Sequence, residues 1–136
     1  MDANVLFSAA ITPAGRTRAI FELAEGSEAC VTLLATEYVL RETRTNLERK
    51  APSYLPELEA LLGNVTVLKE PSARLVEQLA PLVPDPLDAP VVAGAVSGEA
   101  DLLVTGNEKH FRGLYGKEVR GVLVLRPREA LDLLTP

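Results

Sequence analysis

Asp101-Leu-Leu-Val104-Thr-Gly-Asn107 is the stretch that sets the fold class. A short apolar run bounded by turn residues reads as a strand buried on both faces. Thr105-Gly106-Asn107 then breaks the run, and Asn107 is a sound cap for a short helical segment from Glu108 to about Arg112. A strand that turns directly into a helix is half of a βαβ unit.

The same alternation extends in both directions. Downstream, Val122–Leu125 reads as a strand and Pro127–Leu133 as a helix. Upstream, Asp88 stands where it would cap a helix with Pro90 in its first turn and Gly98 at its end. The Pro-rich stretch from Pro81 to Pro90 reads as an internal loop. Ser72 caps a helix over Ala73–Leu79, Val65–Leu68 is a strand, and Tyr54–Leu62 is a helix stopped by Gly63. Thr36 caps a helix that runs to about Lys50 and ends before Pro52. Val31–Leu34 is a buried strand. A helix with Pro13 in its first turn would run to about Glu25 and stop at Gly26, with Ile20, Phe21, Leu23 and Ala24 facing inward. Ala3–Ala10 is small and apolar. Strands alternating with helices predict a three-layer α/β/α fold, a parallel sheet flanked by helices, in one domain over residues 1–136.

Composition narrows the function. Apolar residues make up 47% of the chain, which supports a packed core and excludes a disordered protein. No apolar run approaches the ~18–20 residues that cross a bilayer, and no signal peptide is visible. Cys30 is alone, so no internal disulfide forms; a cytoplasmic protein with Cys30 buried at a strand start is the expectation. The net charge of −5 argues against coating nucleic acid through bulk charge. It leaves open an enzyme whose metal ions hold the phosphates.

Acids and amides recur where strands give way to loops or on a helix flank. Asp2, Asp85, Asp88 and Asn107 occupy such positions, which a parallel α/β sheet gathers at one edge. Glu42 borders the buried stripe formed by Val39, Leu40, Thr43 and Leu47, with Asn46 one turn along the same border. Carboxylates gathered there repel one another unless a divalent cation joins them, which suggests a Mg²⁺ or Mn²⁺ site acting on phosphodiesters. Each piece also has an ordinary explanation. Glu42 suits a solvated surface, Asp88 a helix cap, Asp85 a turn before Pro86, and Thr105-Gly106-Asn107 a turn. His110, the single histidine, is expected to be a surface or satisfied side chain rather than a ligand or base. Lys109, His110 and Arg112 could meet phosphate oxygens at the rim. No phosphate-binding loop, dinucleotide fingerprint or Cys-x-x-Cys pattern is present. A phosphatase or receiver-like domain needs a lysine partner for a nucleophilic Asp, and no clear candidate exists.

Four segments in order carry a resemblance that spans nearly the whole chain. They are Asp2-Ala-Asn4-Val-Leu, Thr36–Leu47 around Glu42, Asp85-Pro-Leu-Asp88-Ala-Pro-Val-Val-Ala-Gly-Ala, and Ala100–Asn107. Together they resemble the PIN-domain family of metal-dependent nucleases, closest to a bacterial and archaeal branch of toxins related to the VapC-type ribonucleases. The resemblance implies an endoribonuclease using Mg²⁺ or Mn²⁺, the toxin of a toxin–antitoxin pair, with RNA as substrate, a small antitoxin as partner, and a homodimer. By match, Asp2, Glu42 and Asp88 are the catalytic and metal-binding acids, with Asp85 and Asn107 as secondary ligands. Asn4 would organise the first loop and Thr105 would stand beside the site; Asn46 and Lys109 are further candidates to bind substrate or to brace the ligands.

Two departures from the family bear on this. An amide, Asn107, stands where the family usually has an acid, which should weaken a second metal position. The family also places a central apolar strand before its first Asp, where only Met1 precedes Asp2 here. The expectation is an altered sheet with exposed strand edges or an exchanged dimer. A terminal ammonium beside Asp2 should also weaken metal binding. The alternative reading is a catalytically weak PIN-like module that binds RNA or protein.

Overall fold

The computed structural model describes residues 1–25 and 31–135. Gly26 and Cys30, the expected helix stop and buried strand residue, lie outside them.

The chain begins with a helix, α1 (Ala3–Ile11), whose N-terminus is capped by Asp2: its Oδ1 accepts from the Ala3 N–H at 2.7 Å. The expected helix from Pro13 is shorter, α2 (Arg16–Leu23), because Thr12–Gly15 forms a turn between the two. Val5, Leu6, Ala9 and Ala10 of α1 and Ile20 and Phe21 of α2 are buried. The run of small apolar residues after Asp2 is therefore a core helix, hydrophobic nearly all round.

Strand β1 (Leu33–Thr36) lies two residues later than Val31–Leu34. Thr36 ends it and caps α3 (Glu37–Lys50), its Oγ1 accepting from the Val39 N–H at 3.3 Å. Val39, Leu40, Thr43 and Leu47 form the buried face of α3, the stripe expected from helical spacing. A 3₁₀ turn at Pro52–Tyr54 leads into α4 (Leu55–Leu62), then β2 (Val65–Leu68). Ser72 caps α5 (Ala73–Leu79) through the Leu75 N–H. The Pro-rich loop holds two 3₁₀ turns, Ala80–Leu82 and Pro86–Asp88, before α6 (Ala89–Ser97). Then follow β3 (Leu102–Val104), α7 (Glu108–Phe111), β4 (Glu118–Val119), β5 (Val122–Leu125) and α8 (Pro127–Leu134). Strand β4 was not expected. Arg120 and Gly121, both at positive φ, make the two-residue turn that folds it antiparallel onto β5. Among the described residues no helix is long and apolar enough to cross a membrane.

The strands are α/β in character but do not form one sheet. β1 pairs in parallel with β2, and β3 pairs in parallel with β5, giving a two-stranded and a three-stranded sheet. Between β1 and β3 lies a cavity of ≈ 380 Å³, lined by Leu33, Ala35, Leu102 and Val104 of the two edges and by Val91 and Ala95 of α6. Among the described residues, the Met1–Asp2 dipeptide bridges it. The Met1 ammonium donates to the Leu34 carbonyl at 2.9 Å, and the Asp2 N–H donates to the Val104 carbonyl at 3.0 Å. This is the altered sheet expected from the resemblance. The ammonium is aimed at a carbonyl rather than at the Asp2 carboxylate. Burial lowers its pKa to about 6, against the opposing pull of Asp2, so at neutral pH it is a weaker competitor for a cation than expected.

At the end of β1, α6 approaches closely. A Cβ on Gly94 would stand 2.8 Å from Thr36 Cγ2, so only glycine permits this packing. That contact fixes α6, and with it the turn bearing Asp85 and Asp88, against the start of α3.

Candidate metal centre

Asp2, the residue before α1, is buried. Its Oδ1 is held by the Ala3 N–H, and its Oδ2 accepts from the Thr105 hydroxyl at 2.8 Å. Each carboxylate oxygen retains a lone pair for a further ligand. Thr105, the residue after β3, is itself fully buried and receives the Asn107 N–H at 3.2 Å. Its carbonyl accepts from Tyr115 Oη at 2.9 Å. Asn4 Oδ1 accepts from the Gly106 N–H at 3.0 Å, tying the first turn of α1 to the turn after β3.

Across from Asp2, Glu42 and Asn46 of α3 line the same cavity of ≈ 370 Å³ as Asp88, Asn107 and His110. The chain thus brings acids from the start of α1, the flank of α3 and the start of α6 onto one concavity. Burial raises the Glu42 pKa above its ordinary value; the negative charge of Asp2 adds to the shift and that of Asp88 adds further, while hydrogen bonding with Tyr38 opposes it. Burial also raises the pKa of Asp88. The positive charge available to His110 opposes that shift, and Asp2 and Asp85 reinforce it. Glu42 and Asp88 thus both lie within electrostatic reach of the Asp2 carboxylate.

Asp88 does not cap α6. It sits in helical conformation at φ −93°, ψ −6°, and its side chain makes no bond to the first turn. Asp85 takes the capping role instead: extended before Pro86, it accepts from the Leu87 N–H at 3.0 Å. Pro86 starts the 3₁₀ turn one step earlier than the sequence suggested, so Asp88 lies inside a continuous turn with its carboxylate free to face the cavity.

Asn107 is occupied otherwise. Its Oδ1 accepts from the His110 N–H at 3.2 Å and caps α7. His110, expected at the surface or satisfied, is only part-exposed and faces both acids of the Pro-rich loop. Its Nδ1 lies 2.7 Å from Asp88 Oδ2 and its Nε2 3.6 Å from Asp85 Oδ2. Asp88 Oδ2 and His110 Nδ1 are both shielded from solvent and face one another at 2.7 Å, so each is the other's polar partner. One ligand atom each from Asp85, Asp88 and His110 lies within 4.8 Å of the other two, a donor set that fits a divalent cation. The sequence offered one signal for His110, its position one helical turn beyond Asn107. Lys109, by contrast, is exposed on α7 and does not line the cavity. At the mouth stand Tyr38, Phe7 and Lys50, with Lys50 Nζ 5.8 Å from the centre of the Phe7 ring.

A family model described as PIN domain matches residues 1–109. The matched span contains Asp2, Glu42, Asp85, Asp88 and Asn107 and ends one residue before His110. No curated protein matches the chain. With the match covering most of its length, the chain belongs to the PIN-domain family, whose members are generally divalent-metal-dependent nucleases.

Proposed function

We propose that this chain is a Mg²⁺- or Mn²⁺-dependent endoribonuclease and the toxin of a toxin–antitoxin pair. The observation that carries the reading is the convergence of Asp2, Glu42 and Asp88, from three separate elements, on one cavity. Asp2, Glu42 and Asp88 would hold the ion, with Asp85 beside them. A bound ion supplies a water of lowered pKa and a counter-charge for the phosphodiester.

The chain's own residues do the rest. Asp2 is oriented before any ion arrives, because the Ala3 N–H and the Thr105 hydroxyl fix its two oxygens. Glu42 and Asp88 hold protons more tightly than ordinary carboxyls, so cation binding displaces protons from them in mildly acidic solution. Tyr38 and Phe7 offer aromatic faces at the mouth, and Lys50 a positive charge. That combination suits an unstacked base and its phosphate in single-stranded RNA. The net negative charge limits binding to RNA that the cavity itself recognises.

The deciding experiment incubates end-labelled single-stranded RNA with the purified chain and Mn²⁺ or Mg²⁺. Cleavage should fall by about 100-fold or more in Asp88→Asn and Glu42→Gln. Intact RNA in every divalent metal would end the enzymatic reading.

The second reading, a binding module with little chemistry, draws on Asn107, whose amide oxygen is spent on capping α7. Calorimetric titration with Mn²⁺ separates the two: micromolar binding that vanishes in Asp88→Asn favours the enzyme. A cytoplasmic location, a homodimer and a small antitoxin partner belong to the same proposal. Light scattering of the pure protein and co-purification with the product of a neighbouring small gene test the last two.

A further inference from the structure

We infer an anion subsite for the RNA backbone beside the metal centre: a cavity of ≈ 290 Å³, lined by Arg16, Arg126 and Arg128, that takes a phosphate of the strand adjacent to the scissile one. The inference deepens the nuclease reading and rests on it for its purpose, but the binding itself can be read in a chelator, without cleavage.

The cavity is lined from α1, α2 and the start of α8, and it adjoins the metal centre at one turn. Gly106 lines it, while Asn107, the next residue, lines the acidic cavity. On α1, Ser8 lines the arginine cavity. Asn4, one helical turn earlier, lines the acidic one and holds the Gly106 N–H at 3.0 Å. A single strand that leaves the acids across this turn meets the arginines.

Three arginines and one glutamate, Glu108, line the cavity, a positive excess on a chain whose net charge is −5. Arg126 is its fixed wall. The guanidinium pairs with both oxygens of Glu108 and with Glu129, and lies 3.9 Å from the centre of the Tyr115 ring. Tyr115 holds the Thr105 carbonyl and Thr105 holds Asp2, so one set of contacts braces this wall and the metal centre. Glu108 is thereby spent on Arg126. Arg16 and Arg128 are exposed, and among the described residues neither has an ion-pair partner. They stand in the first turns of α2 and α8, where the positive end of a helix disfavours a cation. Helix stability therefore does not account for them, and an anion in the cavity offsets that repulsion. Thr17, a residue only 5% exposed, adds a hydroxyl. Its partner, Ser8 Oγ, stands at 3.5 Å, beyond the about 3.0 Å limit of a normal O–H···O bond. A phosphate oxygen can accept from that hydroxyl and from the guanidinium N–H groups together.

Fluorescence anisotropy of a labelled single-stranded RNA with the full chain, in chelator and over a series of salt concentrations, tests the subsite. The Arg16→Gln/Arg128→Gln protein should bind about tenfold more weakly, with each single variant showing part of the loss. The slope of log affinity against log salt should fall by about 0.7, the share of one phosphate contact on a single strand. Arg74→Gln removes an exposed charge from α5 and should bind as the parent does. The melting temperature of the double variant should not fall, since both side chains oppose their helix ends. In cleavage, the loss should appear in KM rather than in kcat. No RNA binding by the parent, unchanged affinity and slope in the double variant, or an equal loss in Arg74→Gln would each overturn the inference. Binding that is lost in the double variant, without cleavage in any divalent metal, keeps the subsite and removes the nuclease reading. Cleavage whose KM the double variant leaves unchanged does the reverse.

Discussion

The Thr105 hydroxyl donates to Asp2 Oδ2 at 2.8 Å, joining two buried residues 103 positions apart in the chain. The end of β3 thereby aims the first acid of the cavity. Thr105→Val keeps the shape and removes the donor, leaving a buried carboxylate oxygen short of a partner. The expected cost is about 1–3 kcal/mol in urea denaturation. Mn²⁺ affinity should fall about 10-fold or more in calorimetry, because the ligand is no longer held in orientation.

The raised pKa values of Glu42 and Asp88 give the metal-free protein a definite pH dependence. Unfolded, these groups titrate near their ordinary values of 4.5 and 3.8. Between those values and the raised folded ones, the native state binds more protons than the unfolded state. The contribution of these two groups to stability therefore falls as pH rises through that window, and stays low above it. Glu42→Gln should flatten this part of the profile and stabilise the metal-free protein at neutral pH. The gain should be below about 1 kcal/mol, since Glu42 is solvent-exposed. Urea denaturation in a chelator across a pH series checks both the sign and the size.

A cation reverses that penalty. At a free Mn²⁺ concentration about 100 times its dissociation constant, stability should rise by about 2.7 kcal/mol, and chelation should abolish the gain. Asp88→Asn should lose most of it. Thermal denaturation at neutral pH with and without Mn²⁺ measures the difference, and an equal gain in the parent and Asp88→Asn would exclude Asp88 as a ligand.

Gly94→Ala probes how α6 is seated. The added methyl would press on Thr36 Cγ2 at 2.8 Å, and a β-branched side chain at the start of α3 has little room to yield. A loss of about 1–3 kcal/mol is expected. Because α6 carries the Asp85–Asp88 turn against α3, weakened Mn²⁺ binding should accompany the lost stability, and calorimetry on the same variant tests that coupling.

The cavity between β1 and β3 shows where local reading stopped. The strand pattern was visible as apolar runs, and β2, β3 and β5 fall where those runs predict. Their division into two sheets depends on which edges meet, and hydropathy says nothing about that. The hairpin strand β4 escaped for a related reason. Its turn uses Arg120-Gly121 rather than an Asn-Gly or Asp-Gly pair, and two residues of strand give no period to detect.

Within single elements the sequence was sufficient. It determined the α/β alternation, the Thr36 and Ser72 caps and the buried stripe of α3. Each is settled by atoms within one or two turns, where bond geometry and side-chain type leave few choices. Only the tertiary structure decided that Asp85 rather than Asp88 spends its carboxylate on a backbone N–H, that Asn107 caps α7, and that His110 turns inward to face two acids. Those outcomes depend on the seating of α6 against β1 and of α7 beside the Pro-rich loop. Packing between distant segments sets those distances, and no local pattern encodes them.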